Sequence, residues 1–127
     1  MKFIEALTLT AILLATSACS SGGSIQDAYM ATAPDGLRTI TYGQTDTFYA
    51  IVLLAEALAS TEVTARWFAV EVGGVEGERQ LEETTSTSAD AELTFHLSNN
   101  MHWPLGLYRV DILLNGELDR SLEFEVQ

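Results

Sequence analysis

The sequence predicts an all-β domain, an antiparallel sandwich of about seven to eight short strands. Three observations carry this reading. Beyond residue 24 apolar and polar residues alternate with a period of two, which sorts side chains onto opposite faces of a sheet. Turn residues recur roughly every 8 to 12 positions. Apolar residues make up 47% of the 127 residues and charged residues 19%, so the chain has material for a packed core and is no disordered acidic tail.

The elements follow in order. Ile25 to Ala31 reads as a first strand, ended by Pro34-Asp35-Gly36, where Pro sets φ and Gly accepts a positive one. Leu37 to Tyr42 continues the chain to a turn at Gly43-Gln44-Thr45-Asp46. Thr47 to Ala55 is apolar on both faces, as a covered central strand would be, and a helix running through Ala59 competes with it. Phe48, Tyr49, Ile51 and Val52 favour the strand. Glu62 to Val72 alternates Val63, Ala65, Trp67 and Ala69 against Thr64, Arg66, Phe68 and Val70, and Gly73-Gly74 breaks it.

Glu76 to Ser88 is acidic and rich in Thr and Ser, which suits a mobile arm or a charged edge strand. Asp90 to Leu97 alternates with Ala91, Leu93, Phe95 and Leu97 expected inward. The last two strands form a hairpin around Asn115-Gly116. A two-residue loop would set Ile112 against Asp119 and Tyr108 against Glu123. The expectation is therefore a three-residue loop, Leu114-Asn115-Gly116, pairing Ile112 with Leu118, Tyr108 with Leu122 and Gly106 with Phe124.

Before these strands lies an address. Lys2 precedes an apolar run, Ala6 to Thr16, too short to span a bilayer but suited to the core of a cleaved signal peptide. It ends in Thr16-Ser17-Ala18-Cys19, small residues before the one cysteine of the chain, and this resembles the lipobox of bacterial lipoproteins. The resemblance implies cleavage after residue 18, acylation (palmitate-type) of Cys19, and a mature protein held to a membrane by lipid. Ser20 stands where an Asp would mark inner-membrane retention, which by the same resemblance favours the outer membrane where the organism has one. The expected organisation is a signal peptide at 1–18, a lipidated Cys19 with flexible tether at 19–24, and one domain at 25–127, without a disulfide because no second cysteine exists.

Trp67 sits mid-strand some residues after Val52, and Tyr108 lies two before Val110. This resembles the immunoglobulin-like arrangement of a core Trp and a strand-start Tyr, with Val52 and Val110 where antibody domains carry cysteines. Trp103-Pro104-Leu105-Gly106-Leu107-Tyr108-Arg109-Val110 through Phe124-Glu125-Val126 is similar to the closing hairpin of immunoglobulin-like domains of bacterial envelope proteins. The implied fold is an immunoglobulin-like β-sandwich.

Charge bears on partners. Eighteen Asp and Glu against six Lys and Arg give a formal net charge of −12, and the basic residues are scattered singly. Nucleic acid requires clustered cations to replace counterions, so it is excluded on composition. The expected partners are a membrane, through the lipid on Cys19, and an envelope protein.

Catalytic sets are missing from the sequence. There are two histidines, His96 and His102, no G-x-S-x-G elbow, no phosphate loop, no dinucleotide fingerprint and too few His and Cys for zinc. No enzyme activity, metal or cofactor is expected. If Trp67, Tyr108 and Val110 point inward, parity sends Phe68, Val70, Leu107, Arg109 and Leu113 outward, beside Glu123 and Glu125. Apolar residues with one Arg and an acidic rim suit a binding face, unless the arm at 76–88 folds over it. The function expected is a non-catalytic protein-interaction module. The alternatives are a small-ligand or glycan binder using the loop residues His102 and Trp103, although Trp103 with Pro104 is rather expected to cover the end of the sandwich, or an inhibitor of an envelope enzyme such as a peptidase.

Overall fold

A computed structural model describes residues 24–55, 61–87 and 90–127. The expectations for the signal peptide, for Cys19 and for the tether up to Gly23 lie outside these residues, as does the end of the competing helix through Ala59. Ser24, assigned to the tether, belongs to the fold: its carbonyl accepts a hydrogen bond from Ala55 N at 2.8 Å.

The described residues form eight strands and no helix: β1 (Ile25–Ala31), β2 (Thr41–Tyr42), β3 (Phe48–Leu54), β4 (Glu62–Val72), β5 (Val75–Thr87), β6 (Glu92–Leu97), β7 (Gly106–Leu114) and β8 (Glu117–Val126). They make a three-stranded sheet in the order β1-β3-β6 and a five-stranded sheet in the order β2-β8-β7-β4-β5. All pairs are antiparallel except β2 with β8, a two-residue parallel contact at the sheet edge. Of the stretch expected to run from Leu37 to Tyr42, Thr41 and Tyr42 alone form a strand. Just upstream of them Thr39 N donates to Met30 O of β1 and Ile40 O accepts from Glu125 N of β8, so this short segment crosses from one sheet to the other.

One core joins the two sheets. Phe48 of β3 is fully buried at its centre, with ring centroids 4.4 Å from Trp103, 4.7 Å from Phe124, 5.0 Å from Tyr42 and 5.4 Å from Tyr108. Such offset and edge-on packing suits the ring quadrupoles and buries large apolar surfaces together. Trp67, Val52 and Val110 close the core from both sheets.

The hairpin register corrects the sequence expectation. Asn115 and Gly116 make a two-residue turn with φ of 51° and 86°, the left-handed pair that a tight hairpin requires. A bulge between Ile112 and Leu113 then shifts the register, so Ile112 faces Arg120, Val110 faces Leu122 and Tyr108 faces Phe124. The two-residue loop and the apolar match coexist because one extra residue on β8 restores parity. Leu118, expected opposite Ile112, faces Leu113 and is 60% exposed. Ala91, expected inward, precedes β6 and is exposed.

Candidate interaction surface

The outer face of the five-stranded sheet is built by the alternation of β4 and β7. Trp67, Tyr108 and Val110 enter the core, and their neighbours in sequence turn to the other side. Phe68 and Val70 on β4 are half-buried, and Leu107 on β7 is 46% exposed. Val70, outward by the same alternation, sits at a bulge skipped by the pairing of β4 with both β5 and β7, and it lines the outer face with Leu107.

Leu113 departs from the expectation. It points away from the core by parity, yet it is 7% exposed between Thr64 of β4 and Leu118 of β8, so it offers little area to a partner. Arg109 departs too. Its guanidinium lies 4.5 Å over the Phe68 ring and donates to both carboxylates in reach, Asp111 at 2.8 Å and Glu78 at a short contact. Ser121 of β8 donates to the same Asp111 carboxylate at 2.7 Å. These carboxylates already occupy the Arg109 fork, so Arg109 is engaged within the sheet.

Glu78 belongs to the acidic arm, which settles where that arm lies. Residues 75–87 are β5, paired with β4 from Glu62↔Thr87 to Val72↔Val75, and so extend the sheet at its edge instead of lying over it. The Glu78 carboxyl is held below its ordinary value, chiefly by the hydrogen bond from Arg109. The Arg109 guanidinium is in turn held more firmly protonated, chiefly by the same bond.

The face that remains open is a depression of about 210 Å³ lined by Val70 and Leu107 on one side and Ile40 on the other, with Glu123 and Glu125 of β8 on the strand between them. Ile40 is 67% exposed and was not among the expected site residues. Periodicity along one strand could not find it, because Ile40 reaches this face only through the crossing of the 37–42 segment between the sheets.

The loop residues His102 and Trp103 divide. His102 is exposed, whereas Trp103 is buried against Phe48 and donates from its ring nitrogen to the Asp46 carbonyl at 2.8 Å. With its ring stacked on a core Phe and its N–H bonded, Trp103 caps the end of the core, as the cover expected there would, and is no ligand platform. Among the described residues no group of three His, Cys, Asp or Glu could hold a metal ion.

No protein-family model matches the chain, and no curated protein matches it in sequence. Among solved structures it is similar to the alkylpurine DNA glycosylase AlkC of Pseudomonas fluorescens bound to DNA containing an abasic site analogue. The TM-score is 0.52 at 15% identity, over 86% of this chain and 31% of that one. This chain therefore spans under a third of that protein, and the likeness is one of fold. It corrects the partner expectation, which named a membrane and an envelope protein and excluded nucleic acid: the similar protein is one solved bound to DNA, and the comparison supports neither of the named partners.

Proposed function

We propose that the chain carries a non-catalytic interaction module of the immunoglobulin-like type, tethered at a bacterial cell envelope by lipid on Cys19. The strand orders β1-β3-β6 and β2-β8-β7-β4-β5 support the immunoglobulin-like reading. So does the Tyr108 hydroxyl, which donates to the Pro104 carbonyl at 2.6 Å, four residues upstream at the start of β7. Val52 and Val110, which stand in sequence where antibody domains carry cysteines, are both fully buried. For the anchor the support is the Thr16-Ser17-Ala18-Cys19 run of the sequence.

The observation that carries the module reading is the apolar outer face of the five-stranded sheet. Its core side is already complete, and Val70, Leu107 and Ile40 still stand on or beside the opposite side with β5 placed at the edge. Apolar side chains collected on one face with acids between them suit contact with a macromolecular surface. Among the described residues lining the depression no nucleophile stands with a base. The glycan alternative loses its platform because Trp103 is buried.

Leu107→Asp tests the reading. Crosslinking in envelope preparations should trap a species on the full-length chain that Leu107→Asp loses at an unchanged melting temperature. Equal trapping by both chains, or none, sinks the proposal. Double-stranded DNA with and without an abasic site serves as a second probe, and tight binding there would replace it. Intact mass of the membrane-extracted protein beside Cys19→Ser tests the anchor.

A further inference from the structure

We infer that the depression between Val70, Leu107 and Ile40 is a binding site for an ammonium-tipped aliphatic chain. The inference deepens the interaction-module reading by naming the chemistry its face would accept. Two independent features of the depression meet in such a group. The flanks are aliphatic and open to solvent, with Ile40 67% and Leu107 46% exposed, so a methylene stem would remove apolar area from water on both partners. Between them β8 carries two carboxylates, Glu123 and Glu125, and neither forms an ion pair among the described residues.

Their lack of a cation has a structural cause. Glu123 lies directly opposite Arg109 in the β7–β8 register, the nearest place for a cross-strand pair. Arg109 turns the other way, across Phe68 to Glu78 on β5, and its remaining reach is taken by Asp111. Glu125, opposite Leu107, has Gln127 Nε2 at 3.2 Å as its neutral partner. Aliphatic flanks around two uncompensated acids disfavour anions and favour an ammonium tip over a neutral one, and the net charge of −12 draws cations toward the chain as a whole.

The test titrates the full-length chain with 1,6-diaminohexane while following the methyl resonances of Ile40, Val70 and Leu107. 1,6-Hexanediol serves as the neutral control of the same length. Saturable shifts confined to these methyls are expected with the diamine. Glu123→Gln combined with Glu125→Gln should weaken binding about tenfold, as two exposed charge pairs would, and added salt should weaken it further. Equal shifts with hexanediol, or a diamine affinity untouched by the double substitution, overturn the inference. So does the absence of any saturable shift. If the diamine fails to bind while Leu107→Asp still loses its crosslinked species, the module reading stands and this inference falls; diamine binding without any crosslinked species gives the converse.

Discussion

Arg109 and Phe68 are adjacent in register on neighbouring strands, and the guanidinium of the first lies 4.5 Å over the ring of the second. From that position Arg109 reaches past β4 to Glu78, so one side chain links β7 to the edge strand β5. The contact ties the arm down at its Gly73-Gly74 end, where β4 is bulged and the ladder is weakest.

Replacing this link should free the arm before it unfolds the domain. Arg109→Met keeps the packing over Phe68 and removes the charge. Amide hydrogen exchange in β5 is expected to rise near Glu78, with little change in β3 or β7. Uniform protection in the variant would show that strand pairing alone holds β5.

The same link sets an acid limb of stability. Glu78, through Arg109, and Asp27, through Arg38, both have carboxyls held below their ordinary values. A carboxyl depressed in the folded state contributes stability above its unfolded value, and that contribution is lost as pH falls through the lowered folded value. Melting temperature should therefore fall as pH drops below about 4, and less steeply in Arg109→Met. Parallel profiles for the two chains would contradict this.

At the alkaline end Tyr42 behaves oppositely. It is buried at the junction of β2 and the core, its hydroxyl donates to the Ala31 carbonyl at 2.7 Å, and burial pushes its ionisation up to about 12. Tyr108 is also raised by burial. A phenol raised in the folded state contributes stability that is whole below its unfolded value and is lost as pH rises through the folded one. Ultraviolet titration should show Tyr42 ionising together with unfolding, and Tyr42→Phe should remove that part of the transition.

Trp67 tests the core. It is 1% exposed, and its indole N–H meets no acceptor among the described residues. Trp67→Ala should cost about 3 to 5 kcal/mol, enough to threaten a domain of ordinary stability. Trp67→Phe should cost much less, because it keeps most of the ring and removes the orphaned donor. Urea denaturation of both variants measures the difference, and equal losses would refute this account of the site.

Gly106 tests a close approach of backbones. Its φ is 145°, and a Cβ there would stand 2.1 Å from the Glu71 carbonyl oxygen at the β4 bulge. Gly106→Ala should cost about 1 to 3 kcal/mol from overpacking, and about 1 more from the strained φ. A variant as stable as the parent would mean that the bulge relaxes freely.

Most strands were legible because their signal is local. Ile25–Ala31 and Glu62–Val72 match their expected bounds, since a period of two with a terminal Gly or Pro is readable without knowing the partner strand. The last hairpin was misread because parity alone cannot show a bulge, and a bulge let the Asn115-Gly116 turn and the apolar match coexist. Of the expected face, Phe68, Val70 and Leu107 lie on it, while Leu113 is covered and Arg109 is engaged. Trp103 was drawn to a ligand by its loop position and to the core by its size, and the core prevailed.

The sequence by itself determined the all-β class, the absence of a disulfide and the inward side of β4 and β7, because each depends on composition or on alternation along one strand. Only the tertiary structure decided which cation meets which acid, where the 37–42 segment crosses, and that β5 borders the face it was able to hide. Those relationships join residues far apart in sequence, and their geometry is set by register and bulges between strands, which no single-strand period encodes.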